Sequence, residues 1–108
     1  MSLSSKKCVP CEMGGSPLAK DEADKFLSEI KNWQVSGDYK KIEHELKFKN
    51  FAEALNFTNQ VGKLAEEEGH HPDIALGWGY VKIMLTTHAV KGLSENDFIL
   101  AAKIDSLG

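Results

Sequence analysis

Three of the four histidines in this chain stand where side chains from different elements can meet. His70 and His71 are adjacent in the stretch from Glu66 to Asp73, between Gly69 and Pro72, and His88 closes the run that begins at Tyr80. An imidazole has an unperturbed pKa of about 6.5 and can give or take a proton near neutral pH, so proton transfer is the first chemistry this pattern suggests. A metal centre fits less well: neighbours in an extended segment point to opposite sides, and no H-E-x-x-H or comparable ligand spacing is present. Nucleophilic catalysis has less support still, because no cysteine lies near and no serine occupies a G-x-S-x-G elbow. The plain alternative is that these are helix-cap and surface histidines. His44 is different. It shares the apolar side of an alternating run with Ile42, Leu46 and Phe48, and reads as a packing residue with no catalytic role.

The elements that must position these groups are legible from periodicity. Ala23, Phe26, Leu27 and Ile30 recur at helical spacing over Asp21 to Lys31, behind an acidic first turn. Trp33 to Ser36 and Lys40 to Phe48 flank Gly37-Asp38 and predict a hairpin. Asn50 and Glu53 form a capping box for a second helix, whose stripe of Phe51, Ala54, Leu55, Thr58, Val61, Leu64 and Ala65 runs to Glu68, with Gly69 as its C-terminal cap. Pro72 biases His71 away from helical angles, so the paired histidines should be an extended exit into a third strand, Asp73 to Leu76. After a bend at Gly77-Trp78-Gly79, a fourth strand is expected over Tyr80 to His88, with His88 off the face that carries Val81, Ile83 and Leu85. A turn at Lys91-Gly92 and a second capping box, Ser94 to Asp97, open a third helix whose inner side is Phe98, Ala101, Ala102 and Asp105. The expected fold class is α+β: a four-stranded antiparallel sheet with helices packed on one face, in the order α-β-β-α-β-β-α.

Size and composition agree with one domain. The chain has 108 residues, 42% of them hydrophobic and 27% charged, which suits a single packed core and is too apolar for disorder. A formal net charge of −3 and no basic stripe argue against direct nucleic-acid binding. No apolar run reaches membrane-spanning length and the first residues lack the apolar centre of a signal peptide, so no membrane association and a cytoplasmic location are expected. Cys8 and Cys11 form a lone C-x-x-C among Lys, Pro and Gly. Residues 1–17 are therefore expected to be a flexible tail ahead of a single domain over 18–108, and removing residues 1–16 is expected to change melting little.

Glu66, three residues, His70-His71-Pro72, five residues, Trp78, nine residues, His88, and then Asp97 within Gly92 to Phe98 together resemble the signature of the pterin-4a-carbinolamine dehydratases. The resemblance extends more loosely over residues 18–107, including Phe48-Lys-Asn-Phe51 at the entry to the second helix. Ile74 departs from it, standing where some members carry tryptophan in one wall of the pterin pocket. The resemblance implies dehydration of a 4a-hydroxytetrahydropterin to the quinonoid dihydropterin, the recycling step after an aromatic amino acid hydroxylase. It assigns proton transfer to His70 and His88, with His71 holding the pterin. Glu66 would orient an imidazole or bind the pterin amino group, and Asp73, Thr86 and Thr87 would complete the pocket. It implies no metal or redox cofactor, a small-molecule pterin substrate, and a homodimer or homotetramer. A rival reading is a binding module, since mammalian relatives also serve as dimerisation cofactors of a homeodomain transcription factor; a third is a pterin-binding accessory protein. Asp97 belongs to the signature, yet its place three residues after Ser94 predicts a cap, worth roughly 1 kcal/mol with turnover nearly unaffected by its loss. The alternative is that it borders the pocket and tunes His88.

Overall fold

The computed structural model describes Leu3 and residues 17–107. Its elements follow in the order α1 (Lys20–Leu27), β1 (Gln34–Val35), β2 (Ile42–Lys47), α2 (Phe51–Glu68), β3 (Asp73–Gly77), β4 (Tyr80–Leu85), a 3-10 turn (His88–Val90) and α3 (Glu95–Asp105). The strands form one antiparallel sheet in the order β1-β2-β4-β3, so the expected α+β class and the three-helix, four-strand plan hold. In the central ladder Ile42 pairs with Leu85, His44 with Ile83 and Leu46 with Val81. Because side chains alternate along a strand, this register puts Ile42, Val81, Ile83 and Leu85 on one face, all fully buried, and leaves Glu43, Glu45 and Lys82 on the other.

Over the buried face lie Ala54, Phe57 and Val61 of α2 and most of α3. The sequence reading gave α3 one inner side; instead Asn96 to Ala102 and Ile104 are all buried, because the helix is apolar almost all round and runs through the core. Phe98 stacks on Phe26 of α1 with ring centroids 5.5 Å apart. Leu3 is also in the core, 3% exposed, which bears on the first residues of the expected tail. Cys8, Cys11 and the rest of that tail as far as Ser16 lie outside the described residues. Pro17 and Leu18 are seated against the loop before α3: Leu18 N–H donates to the Leu93 carbonyl at 2.8 Å, and a Cβ on Gly92 would come within 2.7 Å of Pro17 Cβ.

Two boundaries differ from the expected ones by three residues or more, and each has a local cause. The first helix stops at Leu27, not Lys31, because the Ser28 hydroxyl donates to the Lys25 carbonyl at 2.6 Å and the chain tightens into i to i+3 bonds from Glu29 to Phe26 and Ile30 to Leu27. Ile30 is still buried, carried inward by that turn. The fourth strand stops at Leu85, not His88. Thr87 pairs with Gly92 in an isolated bridge, with N–H to O distances of 2.8 and 3.4 Å, and the residues between fold into the 3-10 turn, closed by Lys91 at φ 57°. Among the described residues no helix is long and apolar enough to cross a membrane.

Candidate active site

The exit from α2 fixes the first histidine. Gly69 takes the left-handed conformation, φ 67°, that ends the helix, and the N–H groups of Gly69 and His70 both return to the Ala65 carbonyl. His70 then turns inward, with only 13% of its side chain exposed, and its Nε2 lies 2.6 Å from Oδ1 of Asp97. Asp97 is fully buried in the first turn of α3. Its second oxygen, Oδ2, accepts from the Ser94 backbone N–H at 2.9 Å and from the Thr87 hydroxyl at 2.8 Å. The capping expected of Asp97 is present, and it uses half of the carboxylate. The other half holds a histidine, and that histidine is His70 rather than the His88 the sequence reading considered.

This pairing decides which imidazole nitrogen is available. A carboxylate accepts hydrogen bonds and donates none, so a neutral His70 facing an ionised Asp97 has its proton on Nε2 and its lone pair on Nδ1. The same network reaches His88. Thr87 is 4% exposed, and its hydroxyl also lies 2.7 Å from the Ser94 hydroxyl. His88 is the next residue, exposed at the start of the 3-10 turn. Asp97 and Thr87 thus connect His70 to the backbone that presents His88. Thr86, half-buried, donates its hydroxyl to the Lys40 carbonyl at 2.5 Å and lies 3.3 Å from the Gly92 carbonyl, fastening the loop to the sheet.

His71 is separate. Its Nε2 contacts Oε2 of Glu66, one turn back on α2, and both side chains are well exposed, 60% and 76%. Glu66 therefore orients an imidazole, and the imidazole is that of His71. Asp73 is exposed at the first position of β3, opposite Met84. The structure thus joins His70 to Asp97 and Thr87, joins His71 to Glu66, and leaves His88 and Asp73 open to solvent with no side-chain partner among the described residues. Among those residues no group of three or more His, Cys, Asp or Glu side chains is placed to hold a metal ion. The residue whose part the sequence reading missed is Asp97. The available signal is its place in the signature, and the alternative that it serves a histidine names His88 where the structure has His70.

Comparison with known proteins gives this arrangement its class. Residues 16–107 match the profile of the family described as pterin 4 alpha carbinolamine dehydratase. A protein of Alkaliphilus metalliredigens provisionally named pterin-4-alpha-carbinolamine dehydratase is 53% identical over 105 residues, covering 96% of this chain and 94% of its own length. One from Halorhodospira halophila with the same provisional name is 48% identical over 108 residues, covering 100% and 99%. Among solved structures, a transcriptional coactivator/pterin dehydratase from Brucella melitensis superposes with a TM-score of 0.80 at 29% identity, over 85% of this chain and 98% of that one. A pterin dehydratase-like protein described as a RuBisCO assembly factor in the alpha-carboxysome gives a TM-score of 0.61 at 28% identity, over 70% and 88%. The α+β sheet with its helices is the fold of a dehydratase class. The chain belongs to the pterin 4 alpha carbinolamine dehydratase family, enzymes of the hydro-lyase type.

Proposed function

We propose that this protein dehydrates 4a-hydroxytetrahydropterin to the quinonoid dihydropterin and water, by histidine acid-base catalysis, in the recycling of tetrahydrobiopterin. The observation that carries the mechanism is the 2.6 Å contact of His70 Nε2 with the fully buried Asp97, which leaves Nδ1 as the nitrogen not engaged by that carboxylate. Family membership carries the substrate class.

The reaction asks for one proton to be removed and one to be supplied. An acid protonates the hydroxyl at ring carbon 4a, the C4a–O bond breaks, and water leaves. The N5–H bond supplies the electron pair of the new C4a–N5 double bond, and a base takes that proton. No electrons are gained or lost overall. His70 Nδ1 is the base, because Asp97 stabilises the imidazolium that forms. His88, exposed and one residue from the Asp97 network, is the acid. His71, steadied by Glu66, holds the pterin, and Asp73 borders the same opening. Thr86 and Thr87 serve this pocket by holding the loop and Asp97, since their hydroxyls already bond to protein groups.

Oligomerisation belongs to the same proposal: β3 is an edge strand with an unpaired side, and Phe51 and Leu55 of α2 are exposed, so a homodimer or homotetramer would cover both. A second reading, an accessory or coactivator protein, is favoured by the coactivator and assembly roles in the names of the two structural neighbours. An assay on freshly generated carbinolamine separates the two. Acceleration that is lost in both His70→Ala and His88→Ala supports the enzyme; a rate equal to the uncatalysed one supports the accessory role.

A further inference from the structure

The polar atom that the fold leaves unexplained lies on β2, separated by β4 from the strand that follows the histidine pair. His44 Nδ1 is buried and has no hydrogen-bond partner among the described residues. A buried polar atom without a partner costs about 1–3 kcal/mol, so a native structure that keeps one invites the question of what completes it. His44 borders two adjoining hollows. The outer, about 450 Å³, is lined by Asn32, Gln34 and His44, among others. The inner, about 170 Å³, is backed by the apolar side chains of Leu46, Phe57 and Ile104. The two share Asn32 and His44, and the larger alone is of a size that holds a small ligand.

Two backbone features make the place. The β1 ladder ends after Gln34–Glu43, so from His44 onward that edge of β2 has no strand partner among the described residues and offers main-chain donors and acceptors in a row. The chain then reaches β1 by way of Asn32, held at φ 65°, a left-handed conformation uncommon outside glycine. The lining carries the carboxylates of Glu43, Glu45 and Asp105 against the ammonium groups of Lys31 and Lys82, a balance that disfavours an anion; Glu43 faces Lys82 at 3.6 Å, Glu45 contacts Lys47, and Asp105 accepts from the Lys31 backbone N–H at 3.1 Å and the Trp33 indole at 2.9 Å. To a neutral ligand the place offers two carboxamides, an imidazole nitrogen, a strand edge and an apolar back wall. None of these residues belongs to the His70–Asp97 network.

We propose that this hollow is a second ligand site, for a small neutral planar molecule with a carboxamide or cyclic-amide edge. The amide edge pairs with His44 Nδ1, Asn32 and the free edge of β2, while the ring lies on Leu46 and Phe57. The Trp33 ring, edge-on to His44 at 5.3 Å, reports occupancy. The proposal is independent of the dehydratase reading.

The test is a titration of the full chain with nicotinamide, and separately with benzoate, followed by two-dimensional amide NMR. Saturable shifts at Asn32, His44 and the Trp33 indole N–H are expected with nicotinamide, and none with the charged benzoate. His44→Phe and Asn32→Gly should each weaken binding about tenfold, the loss of one good hydrogen bond. Glycine keeps the positive φ, so the second variant remains informative if the first fails to fold. His70→Ala should leave nicotinamide binding unchanged. Absence of saturable shifts, shifts confined to the surroundings of His70, equal binding of benzoate, or wild-type affinity in Asn32→Gly would each overturn the proposal.

Discussion

Replacing Asp97 by asparagine tests the proton assignment with almost no change of shape. Asp97 is fully buried and its two oxygens meet three donors: His70 Nε2 at 2.6 Å on one side, Ser94 N–H at 2.9 Å and the Thr87 hydroxyl at 2.8 Å on the other. In Asp97→Asn the carbonyl oxygen must stay on the side of Ser94, because an amide NH₂ there would face a backbone donor. The NH₂ group therefore faces His70. It can bond to Nε2 only if that nitrogen gives up its proton, and the proton then sits on Nδ1, the atom that should accept from N5 of the pterin. The wrong tautomer removes the general base, whose contribution is typically 10²–10⁴-fold, so kcat should fall about 100-fold or more with KM little changed. Exchanging charge-assisted hydrogen bonds for neutral ones should cost about 1–2 kcal/mol, lowering Tm by about 5–10 °C in a domain of this size. Stopped-flow decay of the carbinolamine at saturating substrate, beside a thermal melt, reads both. A clear loss of Tm with kcat within about threefold of wild type would return Asp97 to a pure helix cap and refute the base assignment.

His70→Ala and His88→Ala should each lower kcat at least about tenfold while the circular dichroism spectrum stays that of the wild type. Deleting residues 1–16 should lower Tm, contrary to the sequence expectation, because Leu3 is 3% exposed within the core; a melt superimposable on wild type would show that its burial contributes nothing. The Ser36 hydroxyl at 2.5 Å, and then the Lys40 N–H at 3.1 Å, hold the Asp38 carboxyl below its ordinary value of 3.8. A depressed carboxylate stabilises the fold above its unfolded pKa and loses that contribution as pH falls through the folded value. Asp38→Asn should therefore melt below wild type at neutral pH, with the gap closing only below about pH 3.8; a gap independent of pH would contradict this.

The elements were legible where one periodicity governed a whole segment. The second helix ends at Glu68 with Gly69 beyond it, as its stripe and cap predicted, and the alternation in Ile42 to Leu46 matches the buried face of β2. Boundaries set by side-chain bonds to the backbone were not legible. Nothing in the spacing of Thr86, Thr87 and His88 reveals the Thr87–Gly92 bridge that ends the strand early, nor that the two hydroxyls bond to Lys40, Gly92, Ser94 and Asp97, partners reached only in three dimensions. The same holds at the site. The sequence named His70, His71 and Glu66, yet which imidazole Glu66 serves depends on how an extended pair splits its side chains, and the His70–Asp97 contact spans 27 residues of chain. A capping box is a local pattern and could be read. The second oxygen of the same carboxylate has a nonlocal partner and could not.

The central claim is that these histidines dehydrate a pterin carbinolamine by proton transfer alone. The most direct measurement follows freshly generated 4a-carbinolamine in the presence and absence of the protein, each with and without a chelator. The account predicts a decay rate that rises in proportion to enzyme concentration, collapses toward the uncatalysed rate in the His70→Ala variant, and is the same with chelator as without. A wild-type rate equal to the uncatalysed one, or acceleration that chelator abolishes and zinc restores, would contradict it.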